Sequence, residues 1–283
     1  MTPEIQTRID TLRAEFCEFF SVPPADLEQQ MRAGVWALRQ EWDQWRERRP
    51  NGDPVGFYML SRHTKWSWLQ WAIAEYEYGW LEEAAAGCRE FGAESVLDFG
   101  AGMGEAGLYL AETLGIPVTF ADTTGWCWNF LLWRMARRPA LRLAAVEARR
   151  LTHCSTCRKG REQFDVVLCL EVLEHIPDSP ALLKRLQSRC RKAMMVSGEN
   201  GRPPDDADPL HVWADSPAKT LEEIGWKLTR KKPGKPAWFA RNPEKDSEPA
   251  VVVSGDRVRE PRGKLLISPG EPQSAPGGMA EVV

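Results

Sequence analysis

The chain lacks any apolar run near the roughly 20 residues that a bilayer-spanning helix needs, so no membrane segment is expected. Net charge is also scarce: −3 over 283 residues gives no general attraction to nucleic acid or to an anionic membrane. The basic clusters at Arg149–Arg150, Arg158–Arg161 and Arg230–Lys235 read equally well as solvated loops. The seven cysteines are odd in number and scattered, which argues against a secreted disulfide framework. The opening stretch MTPEIQTRIDTLRAEF mixes charges throughout, unlike a signal peptide. These absences together point to a cytoplasmic protein. Histidine is rare, with four in the chain, so the position of each carries information.

Tryptophan, by contrast, is abundant: ten of the thirteen precede residue 140. Most are expected to pack helices, since one such ring removes a large area from water. Residues up to about Cys88 read as helical. Ser21, Pro23 and Pro24 break a first helix and start a second near Ala25. Met31, Val35, Leu38, Trp42 and Trp45 recur at spacings of three or four, an amphipathic stripe. The cluster Pro50–Pro54 is read as a turn, and a third helical stretch is expected over about Lys65–Arg89.

From Ser95 onward short apolar strands alternate with amphipathic helices, the pattern of a largely parallel sheet. Strands are expected at Ser95–Phe99, Val118–Asp122, Arg142–Glu147, Phe164–Leu170, Lys192–Ser197, Trp226–Arg230 and Trp238–Arg241, the last two joined by KKPGKP as an antiparallel end. The organisation expected is a helical N-terminal cap (1–92), an α/β domain (93–242) and a flexible tail (243–283) rich in Pro, Gly and Ser.

In Ser95-Val-Leu-Asp98-Phe-Gly100-Ala-Gly102-Met-Gly104-Glu105 a buried strand enters a turn with glycine at alternate positions, then a helix. Glycine permits the tight backbone and leaves no Cβ between main chain and ligand, and the helix start offers free N–H groups to a carboxylate. A nicotinamide dinucleotide loop has glycine at its sixth position; here Glu105 stands there and would repel a pyrophosphate. Asp122, closing the second strand, is placed to accept hydrogen bonds from ribose hydroxyls, or to cap the following helix.

The spacing Asp-x-Gly-x-Gly-x-Gly resembles the first motif of class I S-adenosylmethionine-dependent methyltransferases, and the segment Phe164 to Asp178, which contains Glu171-Val-Leu-Glu174-His175, resembles the stretch after their fourth strand. The resemblance covers roughly residues 95–242 and is strongest to the ubiquinone-pathway O-methyltransferases and the small-RNA 3′-terminal 2′-O-methyltransferases. It implies a Rossmann-like seven-stranded, mostly parallel α/β fold and S-adenosyl-L-methionine as cofactor. Gly100, Gly102 and Gly104 would wrap its methionine part, Asp98 would help hold its ammonium, and Asp122 its ribose. Thr123, Trp126, Glu147 and Leu151 are candidates around the adenine, and Glu171 for the cofactor pocket.

In one helical turn residues 171, 174 and 175 share a face. Two carboxylates and an imidazole there are half of an octahedral metal site. In the RNA-methylating relatives such a segment holds a metal with a later histidine, for which this chain offers His211 in DPLHVW. A divalent metal on Glu171, Glu174, His175 and His211 would lower the pKa of an acceptor hydroxyl. Without metal, His175 or His211 serves as the base. His153-Cys154-Ser-Thr-Cys157 lacks a second ligand pair for a zinc site and reads as a surface loop.

The expected function is methyl transfer to a small-molecule acceptor, at a hydroxyl oxygen. The helical N-terminal region, with Tyr58, His63, Trp66 and Trp68, would lie over the strand ends as a lid, so that removing residues 1–62 spares the fold more than the activity. An RNA-terminal methyltransferase, a nicotinamide-dependent oxidoreductase and a noncatalytic binding protein on the same fold are the alternatives. Against a DNA base methyltransferase stands Glu171-Val-Leu-Glu174, where those enzymes carry Asn/Asp-Pro-Pro-aromatic. Neither the acceptor nor the oligomeric state is legible.

Overall fold

The computed structural model describes residues 2–48, 54–148, 162–176, 178–197, 217–232 and 234–241. The His153–Cys157 loop, His211 and the tail from 242 onward lie outside the described residues. Seven strands form one sheet: β1 (Val96–Phe99), β2 (Val118–Asp122), β3 (Leu143–Glu147), β4 (Phe164–Cys169), β5 (Cys190–Val196), β6 (Trp226–Arg230) and β7 (Ala237–Arg241). Their order is β3-β2-β1-β4-β5-β7-β6, with β1 to β5 parallel and β7 antiparallel to both its neighbours. All seven expected strands are present, within two residues at each end.

Side-chain alternation along the strands sorts the core into two layers. Val96, Val166 and Leu168 face a cluster shared with the N-terminal helices, whereas Leu97, Val167 and Cys169 face the opposite layer. That opposite layer is closed by α8 (Ser179–Gln187) through Leu182, Leu183 and Leu186, and by α9 (Pro217–Glu223) through Leu221. Central strands β1 and β4 are buried along their whole length, which is why they read as continuous apolar runs.

The first layer holds α1 (Pro3–Phe20), α4 (Thr64–Glu77), α5 (Trp80–Glu90), α6 (Glu105–Leu114) and α7 (Trp126–Ala136). The first helix ends at Ser21 in a left-handed conformation, and a 3-10 turn at Pro24–Asp26 leads into α2 (Leu27–Arg48), so the break at the two prolines is as expected. A short α3 (Pro54–Leu60) follows. The single stretch expected over Lys65–Arg89 is instead two helices. Gly79, at φ +63°, turns the chain between α4 and α5, and the tryptophan-rich periodicity on both sides conceals that break.

The N-terminal helices are not all lid. Ile9, Leu12 and Phe16 of α1 are buried in the same cluster as Phe120 and Phe130, so removing residues 1–62 takes part of the main core away. Helix α2 crosses α4 closely at Gly34, where a Cβ would lie 1.9 Å from the Trp66 ring. Beyond that crossing, α2 and α3 have their own small cluster of Leu38, Trp42 and Phe57.

Candidate functional site

In an open α/β sheet, ligands bind at the carboxyl ends of the strands where the strand order reverses. Here β1 is that point: the chain passes outward through β2 and β3, then returns to β4 on the other side of β1. A cleft of ≈ 470 Å³ opens there. Its floor is the β1–α6 loop with Asp122, Thr123, Glu171 and His175, and its roof is α2, α3 and α4 with Trp42, Tyr58, Trp68, Trp71 and Glu75.

The loop conformation depends on its glycines. Gly100, Gly102 and Gly104 have φ of +74°, +53° and +83°, a region that costs an L-residue about 1–2 kcal/mol. A Cβ on Gly100 would meet Val172 Cγ2 at 2.1 Å, and one on Gly104 would meet Leu131 Cδ1 at 2.4 Å. At Gly102 no atom of the described residues, its chain neighbours aside, lies within 4 Å of that position, so backbone amide and open space meet in the cleft. An adenosyl amino acid fits such a cradle.

Asp122 fastens the loop to the second strand. Its Oδ2 accepts from Gly102 N at 2.6 Å, and its Oδ1 accepts from Thr123 N at 2.5 Å and Thr123 Oγ1 at 3.2 Å. Burial raises its pKa, while these donors pull it back. Asp98 stands differently from what the motif implies. It is buried, accepts from Gly107 N in α6 at 2.9 Å, and is not among the residues lining the cleft. Burial pushes its carboxyl up to about 7.

Glu105 lines the cleft, yet its carboxylate is already engaged. It accepts from Tyr76 Oη at 2.6 Å and is paired with the buried guanidinium of Arg134. Arg134 also donates to Met103 O at 2.7 Å and to Glu15 Oε2 at 2.8 Å. The repulsion expected between Glu105 and a pyrophosphate is therefore weakened by a neighbouring cation that the sequence pattern did not reveal.

The EVLEH segment also departs from the single helical turn expected. Glu171 has φ +52°, one of two positive values at described residues other than glycine. Such strain clusters at functional sites. Its amide donates to Ser197 Oγ at 2.7 Å. A 3-10 turn at Leu173–His175 then buries Glu174, at 2% exposure, while Glu171 and His175 line the cleft. The three side chains do not share a face. Among the described residues no group of three His, Cys, Asp or Glu is placed to hold a metal ion. The expected fourth ligand, His211, lies outside the described residues.

His175 has Glu174 Oε1 at 3.9 Å from Nε2 and Tyr58 Oη at 3.4 Å from Nδ1, with the Tyr58 ring edge-on to the imidazole and stacked on Trp68. Tyr58 and Trp68 thus line the cleft as expected of the roof. His63 instead pairs with Glu41 at 3.0 Å, and Trp66 packs in the main core against Phe16. Glu147 sits level with Asp122 on β3 and is not among the cleft-lining residues. Trp126, about half exposed, opens a separate pocket with Arg62 and Lys65. Leu151 lies outside the described residues. The sequence reading missed Glu75, because the apolar spacing around it in WSWLQWAIAEYEYGW marks the helix and does not mark which polar residue faces a cavity.

A family profile described as a methyltransferase domain matches residues 71–197. No curated protein matches the chain by sequence. Among solved structures, an O-methyltransferase family protein from Burkholderia thailandensis superposes with a TM-score of 0.56 at 11% identity, over 75% of this chain and 70% of that one. At that identity the likeness establishes the fold. Magnesium protoporphyrin IX methyltransferase from Synechocystis PCC 6803, solved with S-adenosylmethionine bound, aligns over 71% of this chain and 91% of that one, at 18% identity and a TM-score of 0.44. No helix among the described residues is long and apolar enough to cross a membrane. The glycine loop, strands β1 to β5 and the floor of the cleft above them thus lie within a methyltransferase domain, on a fold shared with the Burkholderia structure.

Proposed function

We propose that the enzyme methylates a hydroxyl oxygen of a small, partly apolar molecule held between the glycine loop and the aromatic roof. The carrying observation is the Glu174–His175–Tyr58 series, which brings an imidazole into the cleft with a buried carboxylate on one side and a phenol on the other. The bound cofactor supplies a methyl group on a sulfonium, whose leaving group is already activated. Little remains for the protein beyond alignment, exclusion of water and removal of one proton.

Gly102 and its neighbours receive the amino-acid end of the cofactor, and Asp122 accepts from its ribose with the lone pairs not engaged by Gly102 and Thr123. Glu174, near Nε2, favours the proton on that nitrogen and leaves Nδ1 as the basic one. Nδ1 takes the acceptor's hydroxyl proton as the oxygen–carbon bond forms and the carbon–sulfur bond breaks; the imidazolium is then stabilised by Glu174. Tyr58 orients the acceptor oxygen beside Nδ1. Trp68 and Trp71 present flat apolar surface, which suits an aromatic or prenyl-like acceptor.

Methyl-labelled S-adenosylmethionine incubated with phenols, catechols, short alcohols, amines and thiols tests this. Label should appear on oxygen, and His175→Ala should lower turnover by about 10²–10⁴-fold with S-adenosylhomocysteine affinity retained. Label on nitrogen or sulfur alone, or full turnover in His175→Ala, overturns it.

A further inference from the structure

Three carboxylates at or behind the cleft floor are answered within the protein: Glu105 by Tyr76 and Arg134, Asp122 by two backbone amides and a hydroxyl, and Asp98, behind the loop, by Gly107 N. Glu75 differs. It hangs from the roof helix α4, is half-buried, lines the cleft, and accepts no hydrogen bond from any described residue.

Its surroundings are hostile to a negative charge. Loss of hydration raises its pKa well above the usual carboxylate range, and the fields of Asp98, Glu105 and Glu171 raise it further. These three acids stand at the end of β1, the start of α6 and the end of β4, so Glu75 projects over the glycine loop itself. A carboxylate held there without a donor is costly to the free protein. It becomes favourable when a cation with N–H donors enters the cleft.

From this cavity and this residue we infer that Glu75 binds the α-ammonium of the cofactor's amino-acid end, a role that the motif would give to Asp98. The inference rests on the cofactor lying against the glycine loop. It makes one contact of the cofactor site depend on the helical roof, so that docking the cofactor also fixes α4 above the acceptor space.

Calorimetric titration of the full-length protein with two ligands tests the assignment: S-adenosylhomocysteine, and its desamino analogue with hydrogen in place of the ammonium. The wild type should bind the amino form at least about tenfold more tightly, as a charge-assisted hydrogen bond implies. Glu75→Gln should reduce that gap to about threefold or less while leaving the desamino affinity nearly unchanged. Glu75→Ala, expected to fold because it removes an unanswered charge, should do the same, and both variants should melt no lower than the wild type. An unchanged gap in both variants, or equal weakening of both ligands, overturns the inference. So does closure of the gap in Asp98→Asn instead. If the wild type binds neither ligand, the cofactor placement beneath the inference fails, whatever the Glu75 variants do.

Discussion

The floor and the roof of the cleft are made from different materials. The floor is backbone: three consecutive left-handed glycines in Gly-x-Gly-x-Gly, an αL glutamate after β4, and Asp122 joining one loop to the next through main-chain amides. The roof is side chain: Trp42, Tyr58, Trp68, Trp71 and Glu75 on three helices, two of which lean on a small cluster of their own. A floor fixed by the termini of buried strands holds one shape and suits an invariant ligand. On the function proposed above, side chains on these helices shape the acceptor space and, apart from the inferred Glu75 contact, the sheet edge holds the cofactor.

The strongest way to break the division is to cut where floor and roof are joined. Arg134 binds Glu105 at the floor and Glu15 on α1, while Tyr76 of the roof helix donates to the same Glu105. Arg134→Met leaves the buried Glu105 carboxylate without its cation, whereas Glu15 keeps Arg138 at 2.9 Å; the loss is expected at about 3–5 kcal/mol. Denaturant unfolding monitored by tryptophan fluorescence measures it. A loss below about 1 kcal/mol would mean that the Tyr76 hydroxyl alone satisfies Glu105 and that the joint is dispensable.

The floor alone is struck by Gly102→Val. Among the described residues nothing opposes a side chain there, so the stability cost should be only the left-handed strain of about 1–2 kcal/mol. The side chain would occupy the amino-acid end of the cofactor, and S-adenosylhomocysteine binding should fall by about a hundredfold or more. A folded Gly102→Val protein that binds normally would move the cofactor away from this loop.

The two halves were unequally legible in the sequence. Floor elements announce themselves, because a parallel strand is a short apolar run and a left-handed turn demands glycine; hence Val118–Asp122 and Trp226–Arg230 coincide with their expected bounds. What the motif could not supply was direction. Asp98 looks like a ligand in the pattern, yet the pleat and Gly107 turn it inward. Glu171, Glu174 and His175 read as one helical face, yet the αL residue at 171 and the 3-10 turn separate them. The roof was less readable still. Trp66 and Trp68 are two residues apart and end on opposite sides of α4, one in the core and one over the cleft, and periodicity in so apolar a helix does not distinguish them.

A smaller effect sharpens how the floor is held. The Asp98 carboxyl lies near 7 in the folded protein because burial disfavours its charge, against an ordinary value near 3.8. Between those values the folded state keeps a proton that the unfolded chain has released, so stability contributed below the unfolded pKa is lost as pH rises through about 7. Between pH 5 and pH 7 this amounts to about 2 kcal/mol. Asp98→Asn can still accept from Gly107 N and cannot titrate, so its melting temperature should vary less over that window. Parallel curves for the two proteins would place the charged form of Asp98 in the fold.

The smallest expected effect probes the seam at the acceptor. The Tyr58 hydroxyl meets His175 Nδ1 at a long 3.4 Å, while its ring is held by Trp68. Tyr58→Phe keeps that stacking and removes the hydroxyl alone. If the phenol orients the acceptor oxygen, turnover should fall by about three- to tenfold, which is within the worth of one neutral hydrogen bond. Affinity for S-adenosylhomocysteine should stay constant, since the hydroxyl belongs to the acceptor side. Were cofactor affinity to fall along with turnover, Tyr58 would be serving both ligands, and the division between floor and roof would not hold at the point where the methyl group crosses it.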